Sequence, residues 1–172
     1  MDGTFAKVLV PVAAGGALLA ASRRRRLSWR DDLGIAPPPA ARTAAWIAVW
    51  LVWMLGTNLA MGWRGPWDFA PWVRAGLVTA IARVLAVGIL GPIVEELLFR
   101  GFLLHRLRVR MDARRAVAIT AALWAVIHLG YPPPIIILFF GSGLLLGAAR
   151  VNCRSVIVPI IMHVIWNLYA VW

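Results

Sequence analysis

The chain has 172 residues, 62% of them hydrophobic and only 15% charged, against roughly a quarter charged in soluble domains. That balance excludes a water-soluble globule. The net charge of +11 comes from 17 arginines and a single lysine, and these gather between apolar runs rather than on one phosphate-reading face, which excludes a nucleic-acid partner.

In chain order, several apolar stretches approach the ~20 residues that a helical membrane span needs. We read six, at residues 5–21, 43–61, 75–104, 116–131, 135–149 and 155–172. The first is followed by Arg23, Arg24, Arg25 and Arg26, whereas a secretory signal carries its positive charge before the apolar core. It therefore reads as a retained span with its amino terminus outside. In the second, Trp46, Trp50 and Trp53 recur at helical spacing, and Trp63, Trp67 and Trp72 follow at the expected outer interface, where amphipathic rings concentrate. The third is too long for one simple span. Its Gly91-Pro92 pair predicts a helix break, because proline lacks an N–H and crowds the preceding turn. The segment before the break would then lie partly in the interface and give Arg83 access to headgroups. The fourth and fifth stretches are short and meet at Pro132, Pro133 and Pro134. The lone Cys153 excludes an internal disulfide and any CxxC motif, and reads as a small filler near a loop.

Basic residues concentrate in short cytoplasmic loops. Arg23 to Arg26, Arg30 and Arg42 fall in the first inner loop, Arg106, Arg108, Arg110, Arg114 and Arg115 in the second, and Arg150 and Arg154 in the third. These features predict an all-α polytopic transmembrane bundle of about six spans with both termini outside. It would form a single integral-membrane domain over 1–172, with a motif-bearing core at 85–172, in a bacterial-type cytoplasmic membrane.

Ionisable groups inside such spans are the informative exceptions. The only two glutamates, Glu95 and Glu96, are adjacent, and Arg100 follows. At about 2.5–3.5 kcal/mol each, these three groups would carry an insertion penalty of ~8–10 kcal/mol unless something offset it. Glu96 and Arg100 are four apart and share a helix face in the favourable order, which leaves Glu95 rotated away. Two histidines also fall in apolar spans: His128, and His163, which shares a face with Asn167 four residues on. Counting the rise per residue puts these groups at compatible depths. Together they predict a hydrolytic site in which Glu95 acts as general base toward water and His128 positions that water or relays its proton. His163 and Asn167 would donate to the developing oxyanion, and Glu96 with Arg100 would support the helix from behind.

The texts Glu-Glu-x-x-x-Arg, aromatic-x-x-x-His and His-x-x-x-Asn, in this order, resemble the CAAX protease and bacteriocin-processing family of glutamic intramembrane endopeptidases. The resemblance implies an all-helical membrane bundle that cleaves peptide bonds; no cofactor or metal is expected, and the expected substrate is a membrane-anchored protein or peptide. By position it implies Glu95 and His128 as the water-activating pair, His163 and Asn167 as the oxyanion site, and Glu96 and Arg100 as supporting residues. Trp124 stands where the family usually has phenylalanine, a change expected to affect packing more than chemistry. Rival readings are a zinc site from Glu95, His128 and His163, a serine dyad using Ser142, and a non-enzymatic proton or ion pathway, immunity or scaffold protein. The sequence carries no HExxH zinc pair and no GxSxG elbow.

Overall fold

The computed structural model describes residues 4–61 and 70–170. Among them the secondary structure is entirely helical. Seven helices follow one another: α1 (Thr4–Arg24), α2 (Ala40–Met61), the short α3 (Ala70–Arg74), α4 (Leu77–Arg108), α5 (Ala113–Val126), α6 (Pro133–Cys153) and α7 (Ile157–Ala170). Three of them, α2, α4 and α6, are long and apolar enough to cross a membrane, and α7 is a shorter apolar helix. In α2 only 11% of the most apolar window is buried within the protein, and Val52, Leu55 and Leu59 point outward. An apolar face turned away from the core suits a lipid solvent, not water.

Three expectations are corrected by the middle of the chain. Gly76 begins α4 with φ 106°, a left-handed value that glycine adopts without strain, and so separates the short α3 from the long helix. Pro92 does not break α4. The helix instead widens into a π-helical stretch at Val84–Leu90, immediately before the proline, and into a second at Leu97–Leu103. A π turn absorbs the crowding that an α turn would meet at Pro92. Arg83 is accordingly not open to headgroups: it is 3% exposed, with its guanidinium 4.2 Å over the ring of Trp72. The expected fourth span is also shorter than its apolar text. Asp112 caps α5 by accepting from the Arg115 N–H, but the helix ends at Val126, and His128 lies in the turn beyond it.

One end of the bundle is tightly stitched. The connection after α1 reaches across to the α6–α7 corner, where Val156 N–H donates to the Gly34 carbonyl at 2.8 Å and Ser155 Oγ to the Ala36 carbonyl at 2.6 Å. Arg42 donates to the Asn152 carbonyl, and His105 near the end of α4 meets Asp32 at 3.2 Å. The expected three inner loops, with their arginines, thus gather at this basic end. Since α1 arrives there and α7 departs from it, Thr4 and Ala170 both lie toward the opposite end.

Small residues let the helices approach closely. A Cβ on Gly143 would sit 3.0 Å from the Ala121 backbone, and one on Gly147 would sit 2.8 Å from Val117, so α6 presses directly onto α5. The core between α2, α4, α5, α6 and α7 is filled by Trp50, Phe99, Trp124, Phe139, Leu146 and Met162. Trp46 and Trp53 serve packing and anchoring, donating to Asn152 and Ser142 respectively. Cys153 is buried at the end of α6, as a filler residue should be. Trp63 and Trp67 lie outside the described residues.

Candidate active site

The π-helical stretch before Pro92 has a direct chemical consequence. In it the Gly91 N–H donates to the Ala86 carbonyl. The carbonyl of Val87 is next in that register, and its partner would be the N–H of residue 92, which proline does not have. An unmatched carbonyl in an apolar bundle is expensive. Asn167 on α7 meets this need, donating from Nδ2 to the Val87 carbonyl at 2.8 Å. Gly88 helps α7 come close, since a Cβ there would lie 2.8 Å from Leu168. Asn167 is thereby fixed beside the glutamate turn, and its second amide N–H remains for another acceptor.

One helical turn further along α4, the two glutamates part. Glu96 points into the bundle, where it and Arg100 are both 0% exposed. Glu96 Oε1 accepts from Arg100 Nη1 at 2.7 Å and lies 3.0 Å from His163 Nδ1, while Arg100 Nη2 donates to the Gly143 carbonyl at 3.3 Å. The spacing expected from the sequence for Glu96 and Arg100 is therefore realised. Because the carboxylate can only accept here, His163 Nδ1 is the donor.

Glu95 points the other way and is partly open. Its Oε2 accepts from Trp124 Nε1 at 2.7 Å. The Trp124 carbonyl in turn lies 2.8 Å from His128 Nδ1. A carbonyl has no proton to give, so Nδ1 donates, and the neutral ring keeps its lone pair on Nε2. Trp124 thus makes a polar contact to Glu95 beside the packing expected of the phenylalanine-to-tryptophan change. Its indole stands edge-on to His163, with centroids 5.3 Å apart, and lies 4.8 Å beneath the Arg100 guanidinium. Only an indole brings an N–H to Glu95 as well. The sequence showed that the residue was aromatic, but not that it would reach an acid 29 positions away.

Glu95, His128, His163 and Asn167 all line one cavity of about 360 Å³. Trp124, Tyr131 and Phe139 form an aromatic wall, and Arg83, with Val10 and Pro11 of α1, also contributes to the lining. The volume lies within the ~300–1,000 Å³ of ordinary ligand sites, and mostly apolar walls with a few convergent polar groups are the usual composition of such a site. The sequence did not point to Arg83 or the aromatic wall, because their convergence depends on tertiary packing. Ser142 lies elsewhere: it is buried and accepts from Trp53. Among the described residues, no three His, Cys, Asp or Glu side chains come together as a metal-holding group.

No curated protein and no solved structure matches the chain. A family model does, over residues 77–169, from the first turn of α4 to near the end of α7 and more than half of the chain. It covers Glu95, Trp124, His128, His163 and Asn167, but not Val10 and Pro11 of α1. With an all-helical build, three helices long and apolar enough to cross a membrane, and that match, the chain belongs to the Rce1-like family, the type II CAAX prenyl endopeptidase Rce1-like proteins.

Proposed function

We propose that this chain is an intramembrane endopeptidase that hydrolyses a peptide bond near the membrane-anchored tail of a protein or peptide. The observation that carries this reading is the single cavity shared by Glu95, His128, His163 and Asn167, within a chain whose family is one of peptidases. The setting is a multi-pass protein of a bacterial-type cytoplasmic membrane. It has about six crossings, both termini outside and the basic end in the cytoplasm.

The bonding pattern supports a mechanism. A water between Glu95 and His128 loses a proton to the Glu95 carboxylate, while His128, held through Nδ1, accepts from that water at Nε2. The new oxygen–carbon bond forms as the carbonyl oxygen becomes an oxyanion. The second N–H of Asn167 and Nε2–H of His163 donate to that oxygen. For this the His163 ring carries both protons, with Glu96 Oε1 as counter-charge on its inner side. When the carbon–nitrogen bond breaks, Glu95 returns its proton to the departing amine. The indole of Trp124 holds Glu95 at the mouth of the cavity throughout.

The test uses the full chain purified in detergent against membrane-tail peptides, prenylated and unprenylated, with cleavage read by mass spectrometry. Loss of a general base costs about 10²–10⁴-fold, so Glu95→Gln should cut at 1% of the wild-type rate or less, and His163→Ala should be similarly impaired. If both folded variants cleave as well as wild type, the hydrolase reading fails. Activity that survives exhaustive chelation assigns the chemistry to these side chains alone.

A further inference from the structure

The basic end holds a second cavity, of about 280 Å³, lined by Arg25, Phe102, Arg106, Val109 and Arg110. Two separate segments build it: Arg25 lies just past the end of α1, and the others lie on the last turns of α4 and immediately beyond. None of the lining residues is an acid. The acids nearest in sequence are engaged elsewhere. Asp31 and Asp32 bond to Ser28, Asp32 also meets His105, and Asp112 caps α5 and pairs with Arg115. Three like charges around one hollow repel one another, and an anion seated among them converts that repulsion into attraction. Arg106 is partly held in place, with its guanidinium 5.5 Å from the Phe102 ring. A stacked planar fork of this kind suits phosphate oxygens better than a lysine would.

The surface leading to the hollow indicates where the phosphate comes from. Leu98, Phe102, Arg106 and Arg110 follow one another at intervals of four, so they run along one side of α4 and into the turn that follows it. Leu98 at the lower end is 38% exposed, and Val109 beside the arginines is 76% exposed. From Leu98 to Arg106 is a rise of ~12 Å, comparable to the ~15 Å depth of one leaflet's hydrocarbon. The row changes from apolar to cationic over the distance at which a phospholipid changes from acyl chain to phosphate. A soluble anion would have no use for the apolar half of this track.

We propose that this hollow is a binding site for an anionic phospholipid, with its phosphate among Arg25, Arg106 and Arg110 and an acyl chain along Leu98 and Phe102. Basic pockets at the cytoplasmic ends of helices are the usual place for such headgroups. The inference is independent of the peptidase reading, because it uses none of the residues around the first cavity.

The test titrates phosphatidylglycerol into the full chain in detergent and counts bound lipid by native mass spectrometry, with thermal unfolding as a second readout. Arg106→Gln/Arg110→Gln is compared with Arg114→Gln/Arg115→Gln, which removes the same charge from the same end. The expected result is at least about a tenfold loss of phosphatidylglycerol affinity in the first variant and less than about threefold in the second. Phosphatidylcholine should bind weakly to all three proteins, and millimolar inorganic phosphate should not displace phosphatidylglycerol. Equal losses in the two variants would mean diffuse surface attraction and overturn the site. Equal binding of phosphatidylcholine, or displacement by inorganic phosphate, would overturn the lipid assignment. If the first variant does not fold, Arg25→Gln on the other segment serves in its place, with about a fivefold loss expected for its single charge and unchanged affinity overturning the site.

Discussion

Glu95 and Glu96 are neighbours in sequence with identical chemistry, yet the fold gives them opposite surroundings. Glu96 is sealed in a dry layer with Arg100, His163 and the Gly143 carbonyl. Glu95, about 100° around the same helix, faces a hollow and keeps one oxygen on an indole N–H. A charge in the first setting has every reason to hold the bundle together and no access to a substrate. A charge in the second contributes less to the fold and is available for chemistry. What distinguishes them is the identity of the opposing helix: α7 and α6 close over one, and the end of α5 leaves the other open.

That contrast makes predictions that can fail. The largest effect belongs to activity on the open side: Glu95→Gln is expected to lower kcat by about 10²–10⁴-fold while its thermal unfolding in detergent stays close to wild type. A large loss of stability instead would erase the distinction between the two acids. Next comes the sealed side, where Arg100→Ala takes from the buried Glu96 carboxylate its permanent counter-charge, leaving only the His163 contact, and is expected to cost about 3–5 kcal/mol, read as lower yield and an earlier melting transition. Glu96→Gln/Arg100→Met, which removes both charges, should recover much of that loss; if it melts no later than Arg100→Ala, the penalty does not come from the unpaired charge. A smaller effect is expected at Trp124→Phe, which keeps the ring and deletes the N–H. A hydrogen bond to a charged group contributes about 1.5–3 kcal/mol, so kcat should drop roughly ten- to a hundredfold with little change in melting temperature. Unchanged kcat would return Trp124 to a packing role.

The smallest effect lies outside the membrane-spanning helices. The Arg115 backbone N–H holds the Asp112 carboxyl below the usual carboxylate range. A carboxyl lower in the folded state than in the unfolded one adds stability above the ordinary range and loses it as pH falls through the folded value. Asp112→Ala should therefore melt slightly earlier than wild type near neutrality, and the gap should close on acidification. A gap independent of pH would show that the cap works through shape rather than charge.

Much of this site was legible in the sequence because it rests on short-range geometry. The four-residue spacing of Glu96 and Arg100, and of His163 and Asn167, gives a shared face whatever the rest of the chain does. The misreadings came from features that depend on the opposing helix. Pro92 suggested a break, since sequence alone does not show that a π turn can absorb it. Apolar residues that continue past Val126 point to a span holding His128, although the helix ends before it. The residues flanking Arg83 point it to headgroups, whereas in the fold it packs over the Trp72 ring and lines the cavity.

The bond from Asn167 to the Val87 carbonyl has an evolutionary consequence. Proline at 92 leaves that oxygen without a partner and asparagine at 167 satisfies it, so the two positions form one mutational unit rather than two independent ones. Replacing the proline alone restores a backbone N–H and relaxes the demand on the amide; replacing the asparagine alone leaves the oxygen stranded. Sequences that drift at 92 should tolerate change at 167 more readily, and a double substitution should be milder than the sum of its parts. With the proposed role, Asn167 would be constrained twice, once by what it offers a substrate and once by an unmet need in the scaffold beside it.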